Sequence, residues 1–184
     1  DIKVNTDTGE IIDYTFVNTV INVSKNYVYD SKEQEKNLLY NAVFNLVHKM
    51  NKREKYTYNI KNCHDVVAYL MILMNHVCAK EMSNQQQGLF RSMSFSKTFD
   101  STELTDNEEI QQFLNNWHSS GGNYNKYSEI KKHEALNLDK YLHITSPIRR
   151  LVDLLNIIKL QQILNLTTLS DNASEFYESW TSDD

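Results

Sequence analysis

Cysteine, glycine and proline are scarce in this sequence, and each scarcity limits what the protein can be. Two cysteines, Cys63 and Cys78, do not make a disulfide framework, so we expect a reducing compartment and an intracellular, cytoplasmic protein. With only four glycines, the chain has no Walker-type loop, no Gly-x-Gly-x-x-Gly run and no nucleophile elbow around a serine. There is one proline, Pro147, and its position needs an explanation.

Long apolar runs and an excess of positive charge are also missing. No run approaches the roughly 18 residues needed to span a bilayer, and the first residues resemble no signal peptide, so we expect no membrane partner. The chain lacks an initiating Met, which indicates processing or a piece of a longer protein. A net charge of -5 argues against a general nucleic-acid coat. It remains compatible with an enzyme that contacts a few phosphates locally.

Length and apolar spacing predict one α+β domain with a single core. A chain of 184 residues with 40% hydrophobic residues suits one folded domain. Residues 2–24 predict a β-hairpin that turns at Asp7-Thr8-Gly9, because strand-forming residues occupy the return arm up to Val23. Several α-helices are expected to pack with this hairpin and with a short strand over residues 56–60.

The helices are predicted from apolar residues at helical spacing. They cover residues 31–50, 64–82, 105–117 and 147–165. Asp30 or Ser31 would cap the first helix, and Thr105 or Asp106 the third. We expect a loop over residues 118–127. Residues 167–184 form a weakly patterned acidic tail that is a candidate for mobility.

The segment Ser146-Pro147-Ile148-Arg149-Arg150 has the features of an anion site at the start of a helix. Thr145 or Ser146 suits the N-cap, and Pro147 suits the first helical position. A helix N-terminus favours an anion, and Arg149 and Arg150 add forked donors that suit phosphate. The local pattern leaves a second interpretation open, in which both arginines pair with surface carboxylates.

The run from His133 to Leu154 resembles the signature of ribonuclease II (RNB) exoribonucleases. The family pattern reads His-x-x-Leu-x-Leu-x-x-Tyr-x-His-Phe-Thr-Ser-Pro-Ile-Arg-Arg-Tyr-x-Asp-Leu. The chain matches it at His133, Leu136, Leu138, Tyr141, His143, Thr145, Ser146, Pro147, Ile148, Arg149, Arg150, Asp153 and Leu154. Looser similarities add the opening hairpin, a buried helix carrying Asn75, and a strand leading to Arg91. The resemblance predicts an RNB-like domain over residues 1–166.

The resemblance implies a function. RNB enzymes degrade single-stranded RNA from the 3′ end to 5′-mononucleotides, with Mg²⁺ held by a cluster of aspartates. It makes Arg149 and Arg150 the catalytic candidates, with Arg149 first, because they would hold the phosphate and offset charge in the transition state. The remaining RNA-binding candidates are Arg91, Tyr141, His143, Thr145 and Ser146.

The sequence departs from the family where the metal would bind. The family's aspartate cluster lies upstream of the opening hairpin, so no metal ligand is assigned here and the Mg²⁺ ligands are expected outside this chain. Ala68 and Tyr69 stand where the family carries a Glu pair. Leu151 replaces a Tyr, and Met93 a His.

Two accounts fit these departures. In one, the chain is the C-terminal part of a divergent RNB domain whose aspartates lie on an upstream segment or on another chain. In the other, it is a degenerate RNB remnant that serves RNA binding or protein assembly. Both predict that this chain alone does not cleave RNA.

Overall fold

The chain combines helices with small antiparallel sheets. A computed structural model describes residues 1–29, 31–95, 105–117 and 121–182. Within them lie five α-helices and two two-stranded sheets, which confirms the α+β prediction. The chain divides into two compact units, Asp1–Leu73 and Met74–Asp184. Among the described residues, no helix is both long enough and apolar enough to cross a membrane.

The first unit opens with the predicted hairpin, but its return strand is short. Strand β1 (Ile2–Val4) pairs antiparallel with β2 (Ile11–Tyr14), and Gly9 adopts a φ of +73° in the turn. The prediction that the return arm continues to Val23 is wrong. Ile2 pairs with Tyr14 and Asp1 exchanges backbone hydrogen bonds with Thr15, but residues 16–23 pair with no strand among the described residues.

Helix α1 (Leu38–Arg53) begins later than predicted. A single 3₁₀ turn, Gln34–Lys36, precedes it. Asn37 caps the helix, since its side-chain oxygen accepts the N–H groups of Leu39 and Tyr40 at 2.9 and 3.2 Å. The predicted cap at Ser31 is therefore wrong, and Asp30 lies outside the described residues.

The strand predicted over residues 56–60 does not form. Asn51 Oδ1 accepts the N–H groups of Tyr56 and Thr57, both at 3.1 Å, and these bonds hold the segment as a bend. The Tyr56 ring packs on Tyr69, with 5.3 Å between ring centroids. Alternating tyrosines here reflect packing on helix α2 (Cys63–Asn84), whose buried character confirms its prediction.

The second unit contains a strand pair of which the sequence indicated one member, the strand that leads to Arg91. After α2 ends, Gln86 and Gly88 adopt positive φ values of 55° and 108° and lead into β3 (Leu89–Ser92). Strand β4 (Asn123–Lys126) pairs antiparallel with β3. The loop predicted over residues 118–127 is wrong for 123–126, while 118–120 lie outside the described residues.

One further helix differs from prediction at its start, and another was not predicted. Helix α3 (Glu108–Trp117) is capped by Asn107, which accepts the Glu109 and Ile110 N–H groups, so the predicted caps at Thr105 and Asp106 are wrong. In the predicted tail, residues 171–181 form helix α5 (Asp171–Thr181).

Helix α4 (Leu151–Ile163) begins four residues after Pro147, the predicted start. Residues 147–149 form a turn, in which the Arg149 and Arg150 N–H groups bond to the Ser146 carbonyl at 3.2 and 3.1 Å. The predicted caps are wrong, because Arg150 occupies the N-cap position without a side-chain cap. Ile148, which lies in this turn, is 102% exposed.

Candidate functional site

Strands β3 and β4 place Arg91 and Tyr124 side by side. The two residues are directly opposed in the antiparallel register, so their side chains share one face of the sheet. The Arg91 guanidinium lies over the Tyr124 ring, 5.6 Å from its centroid. Phe90 is 1% exposed and anchors the strand in the interior. The backbone of Arg91 is therefore held in place by β3, and its guanidinium is held against an aromatic ring.

Gly122, just before β4, leaves room for the Arg91 side chain to pass over the backbone. A Cβ at Gly122 would overlap the guanidinium carbon and nitrogens of Arg91, closer than real Cβ atoms approach. At the neighbouring Gly121, an added Cβ would have no neighbour within 4 Å. The absence of a side chain at Gly122 thus leaves the space that the Arg91 guanidinium occupies.

His143 joins Arg91 and Tyr124 from the segment that precedes α4. Its Nδ1 lies 2.6 Å from Tyr124 Oη, and the two rings meet edge to face. The backbone of this segment follows β3, since the Arg91 N–H donates to the Tyr141 carbonyl at 2.8 Å. We refer to Arg91, Tyr124, His143 and Arg150 together as the Arg91–Arg150 site.

Tyr141 supports the site from the interior. It is 3% exposed, and its hydroxyl accepts a hydrogen bond from Asn75 Nδ2 at 2.9 Å. Asn75 Oδ1 also accepts the Ile144 N–H at 3.1 Å. Burial raises the pKa of Tyr141. The ring packs edge to face against His143, so the structure places it as a support for that ring.

Arg150 is held by a buried carboxylate. Its Nη2 donates to Asp153 Oδ1 at 2.8 Å, and its Nε lies 2.7 Å from Oδ2 as an ion contact. Asp153 Oδ1 also accepts the Ser146 N–H at 2.7 Å. The Asp153 side chain is fully buried and that of Arg150 is 21% exposed. Arg150 is thus paired, though not with a surface carboxylate, whereas Arg149 is exposed without an ion pair to the described residues.

Asn156 on α4 ties the parts of the site together. Its Oδ1 accepts the Leu89 N–H at 2.9 Å, and its Nδ2 donates to the carbonyls of Leu89 and His143 at 3.0 and 2.9 Å. The residue is 1% exposed. One buried amide therefore links α4, the start of β3 and the segment that carries His143.

Both guanidiniums act on His143. Burial, followed by the charges of Arg150 and Arg91, lowers the pKa of His143 to about 4. Burial and Arg91 likewise lower the pKa of His133 to about 4. Both rings are neutral near pH 7. The charged groups of the site are therefore two arginines and one carboxylate, Asp153, which is paired with Arg150. The site has a surplus of positive charge and suits an anion.

The two histidines predict a loss of stability in acid. Their pKa values are about 4 in the folded protein and near 6.5 when unfolded, so the unfolded chain binds more protons between these values. Stability from these groups is complete above pH 6.5 and decreases as the pH falls towards 4. Urea unfolding across this window measures the decrease. A double His133→Gln, His143→Gln variant with the same pH slope as wild type would contradict the assignment.

The structure brings together some predicted residues and adds others. Arg91, Tyr141, His143 and Arg150 cluster, and Ser146 joins them through Asp153. Thr145 is exposed, like Arg149. The residues that sequence reasoning missed are Gly122, Tyr124, His133, Asp153 and Asn156. His133 and Asp153 lie within the run that matches the RNB signature, so the sequence could have indicated them. Tyr124 lies in a segment with the composition of a loop, and no sequence pattern indicated its position.

The side chains at the Arg91–Arg150 site differ from the ligands that Mg²⁺ requires. Across the part of the chain that the structure describes, no group of three or more His, Cys, Asp or Glu residues could hold a metal ion. The carboxylate at the site, Asp153, is engaged by Arg150 and the Ser146 N–H. Mg²⁺ prefers free oxygen ligands. The Arg91–Arg150 site therefore fits an anion and does not fit Mg²⁺.

The family model of the RNB domain matches residues 31–166. The chain belongs to the RNB family. No individual curated protein is similar enough in sequence to count as a relative. Membership makes the chain ribonuclease-related and implies RNA binding in general. The RNB match contains every residue of the Arg91–Arg150 site, and it begins after the hairpin, whose resemblance to the family stays a prediction.

Proposed function

We propose that this RNB domain is part of a 3′→5′ exoribonuclease that hydrolyses single-stranded RNA to 5′-mononucleotides. In this proposal the chain supplies the arginines that hold the RNA phosphate. The observation that carries it is the cluster in which the Arg91 guanidinium lies over the Tyr124 ring and Tyr124 Oη meets His143 Nδ1, with the charge of Arg150 also acting on His143. Phosphate is the anion that RNA presents, and guanidinium is the side-chain group that binds it with two donors. We further propose a cytoplasmic location.

Each arginine has a distinct place in the proposal. Asp153 engages Nη2 and Nε of Arg150, which leaves the Nη1 hydrogens to donate to a phosphate oxygen. Because the buried carboxylate already fixes Arg150, little side-chain freedom is lost on binding. Arg91 contributes the second guanidinium. Arg149 is exposed in the turn beside Thr145 and Ser146, and in this proposal it contacts a phosphate at the edge of the Arg91–Arg150 site.

The hydrolytic step requires groups beyond these residues. Magnesium, held by aspartates on an upstream segment or another chain, would activate the water and stabilise the leaving oxygen. The residues of this chain bind and orient the phosphate and offset its charge.

Binding of a 5′-labelled single-stranded oligonucleotide tests the phosphate contacts. Each of Arg91→Gln and Arg150→Gln should weaken affinity by roughly 10-fold and reduce the salt slope by about 0.7, because each removes one phosphate contact. Arg149→Gln should have a smaller effect. Arg53→Gln, an exposed arginine in the first unit, is the matched control. Equal effects at Arg53 and Arg150 would mean that the binding is nonspecific.

The activity itself requires the protein that carries the aspartates together with this domain. With Mg²⁺ and 5′-labelled RNA, we expect progressive shortening from the 3′ end and release of mononucleotides. Arg149→Ala and Arg150→Ala should each stop the reaction. Arg149 contributes little to RNA binding in this proposal, but its guanidinium offsets charge that develops in the transition state. Internal cleavage, or shortening that begins at the 5′ end, would contradict the proposed direction.

One observation favours the second candidate, an inactive RNB remnant that binds RNA or assembles with protein. Tyr69, which replaces a family Glu, is 1% exposed and packs on Tyr56. An acid position has thus become part of an apolar interior. RNA binding without turnover in the aspartate-bearing protein would establish the RNA-binding remnant. Absence of RNA affinity at any salt concentration would establish an assembly role.

Gly122→Ala tests the position of Arg91 without removing its charge. The added methyl group displaces the guanidinium, a flexible group, so we expect RNA affinity to fall several-fold, about 3- to 10-fold, with stability changed by less than about 1 kcal/mol. Gly121→Ala is the matched control, because its methyl group meets nothing. Affinity and urea unfolding are measured for both. The same affinity in both variants would show that Gly122 does not position Arg91.

A further inference from the structure

Tyr124 is half-exposed, and its hydroxyl lies in the site without any role in the contacts proposed so far. We propose that Tyr124 is a positioning residue that fixes the proton of His143 on Nε2, so that His143 becomes a third donor to the phosphate held by Arg91 and Arg150. This inference rests on the proposed function and assigns roles to two further residues of the same site.

The geometry of the His143 ring supports this role. Nδ1 is occupied, since it shares a hydrogen bond of 2.6 Å with Tyr124 Oη. Nε2 forms no hydrogen bond with any of the described residues, and it is open to solvent. A solvent-facing imidazole nitrogen in a site with a surplus of positive charge is placed to meet an atom of an anionic ligand.

The surroundings of the ring fix its charge. Four groups act on the charge of His143: Arg91 from β3, Arg150 from the N-cap of α4, Asp153 from α4, and His133 from the segment after β4. Tyr124 and Tyr141 touch the ring edge to face. Burial and the charges of Arg150 and Arg91 lower the pKa of His143 and outweigh Asp153, which raises it, so the imidazole is neutral near pH 7. A neutral imidazole has one N–H and one acceptor nitrogen.

The neutral ring can carry its proton on Nδ1 or on Nε2, and a bound phosphate favours one of these two tautomers. If Nδ1 carries the proton, Nε2 turns a lone pair towards the site, which repels an anion. If Tyr124 donates to Nδ1, Nε2 carries the proton and donates to the phosphate. A hydroxyl opposite Nδ1 can stabilise the second arrangement, whereas a phenyl ring cannot.

Tyr124→Phe isolates this role, because it keeps the ring that lies beneath Arg91 and removes only the hydroxyl. Tyr127→Phe is the matched control, since Tyr127 lies on the same segment and packs against Phe90. The probes are a single-stranded oligouridylate and, separately, inorganic phosphate. For each protein we would measure affinity and the nitrogen chemical shifts of ¹⁵N-labelled histidine, which distinguish the two tautomers.

The expected result is a bound wild-type protein with His143 protonated on Nε2. Tyr124→Phe should give a mixture of tautomers and roughly 10-fold weaker binding of RNA, the size of one charge-assisted hydrogen bond. Tyr127→Phe should match wild type in both measurements. A purely structural role for Tyr124 would lower stability without moving the tautomer.

Several results would overturn the inference: a proton on Nδ1 in the bound wild type, or unchanged affinity and tautomer in Tyr124→Phe. If wild type binds inorganic phosphate with the Nε2 tautomer but does not bind RNA, the inference stands and the proposed function fails. If neither probe binds, both fail.

Discussion

Asp153→Ala should destabilise the protein by about 3–5 kcal/mol, because it removes one partner of a buried ion pair. Arg150 would keep its charge in a position where the side chain is 21% exposed, with no carboxylate beside it. The Ser146 N–H would also lose its acceptor. Urea unfolding monitored by circular dichroism gives the change in the free energy of unfolding.

The control for this prediction removes both partners. A double Arg150→Met, Asp153→Leu variant leaves no unpaired charge and should be much less destabilised than Asp153→Ala. It should nevertheless lose RNA affinity, since the proposed phosphate donor is gone. If the double variant is as unstable as the single one, the pair is not the source of the instability, and the backbone bond to Ser146 is.

Asn156→Leu should cost about 3 kcal/mol or more, because three hydrogen bonds to buried backbone groups are lost without a change in side-chain size. Leu89 would lose the partners of both its N–H and its carbonyl, and His143 that of its carbonyl. RNA affinity should fall as well, since Asn156 aligns β3, which carries Arg91, with the segment that carries His143.

Gln162→Leu is the matched control for Asn156→Leu. Gln162 lies on the same helix, and its side chain is exposed with one bond to Lys159 at 3.2 Å. The change there should be within about 0.5 kcal/mol. Similar losses at both positions would indicate that added apolar surface, and not the missing amide, destabilises the helix.

Both predictions concern buried residues that support the Arg91–Arg150 site. Asp153 and Asn156 are buried, and each fixes a residue of that site. Asp153 holds the Arg150 side chain, and Asn156 holds the backbone at the start of β3 and at His143. A single substitution at either position removes these hydrogen bonds and leaves an unsatisfied group.

The sequence alone determined the family and the class of fold. The run from His133 to Leu154 predicts RNB membership, and the family match over residues 31–166 confirms it. Apolar spacing predicts the buried helix α2, because apolar residues cover more than one face of that helix. The turn at Asp7-Thr8-Gly9 was also predictable, since turn chemistry is local. The roles assigned to Arg149 and Arg150 stay predictions.

Tertiary structure alone decided how the site is built. Residues 123–126 look like a loop by composition and form a strand because β3 offers a partner for their backbone groups. Pro147 suits a helix start, yet α4 begins at Leu151, because Asp153 reaches back to the Ser146 N–H. Contacts between residues distant in sequence, such as Arg91 with Tyr124 and Leu89 with Asn156, leave no local pattern. Short-range propensity predicts elements, while these long-range hydrogen bonds and charges decide which side chains meet.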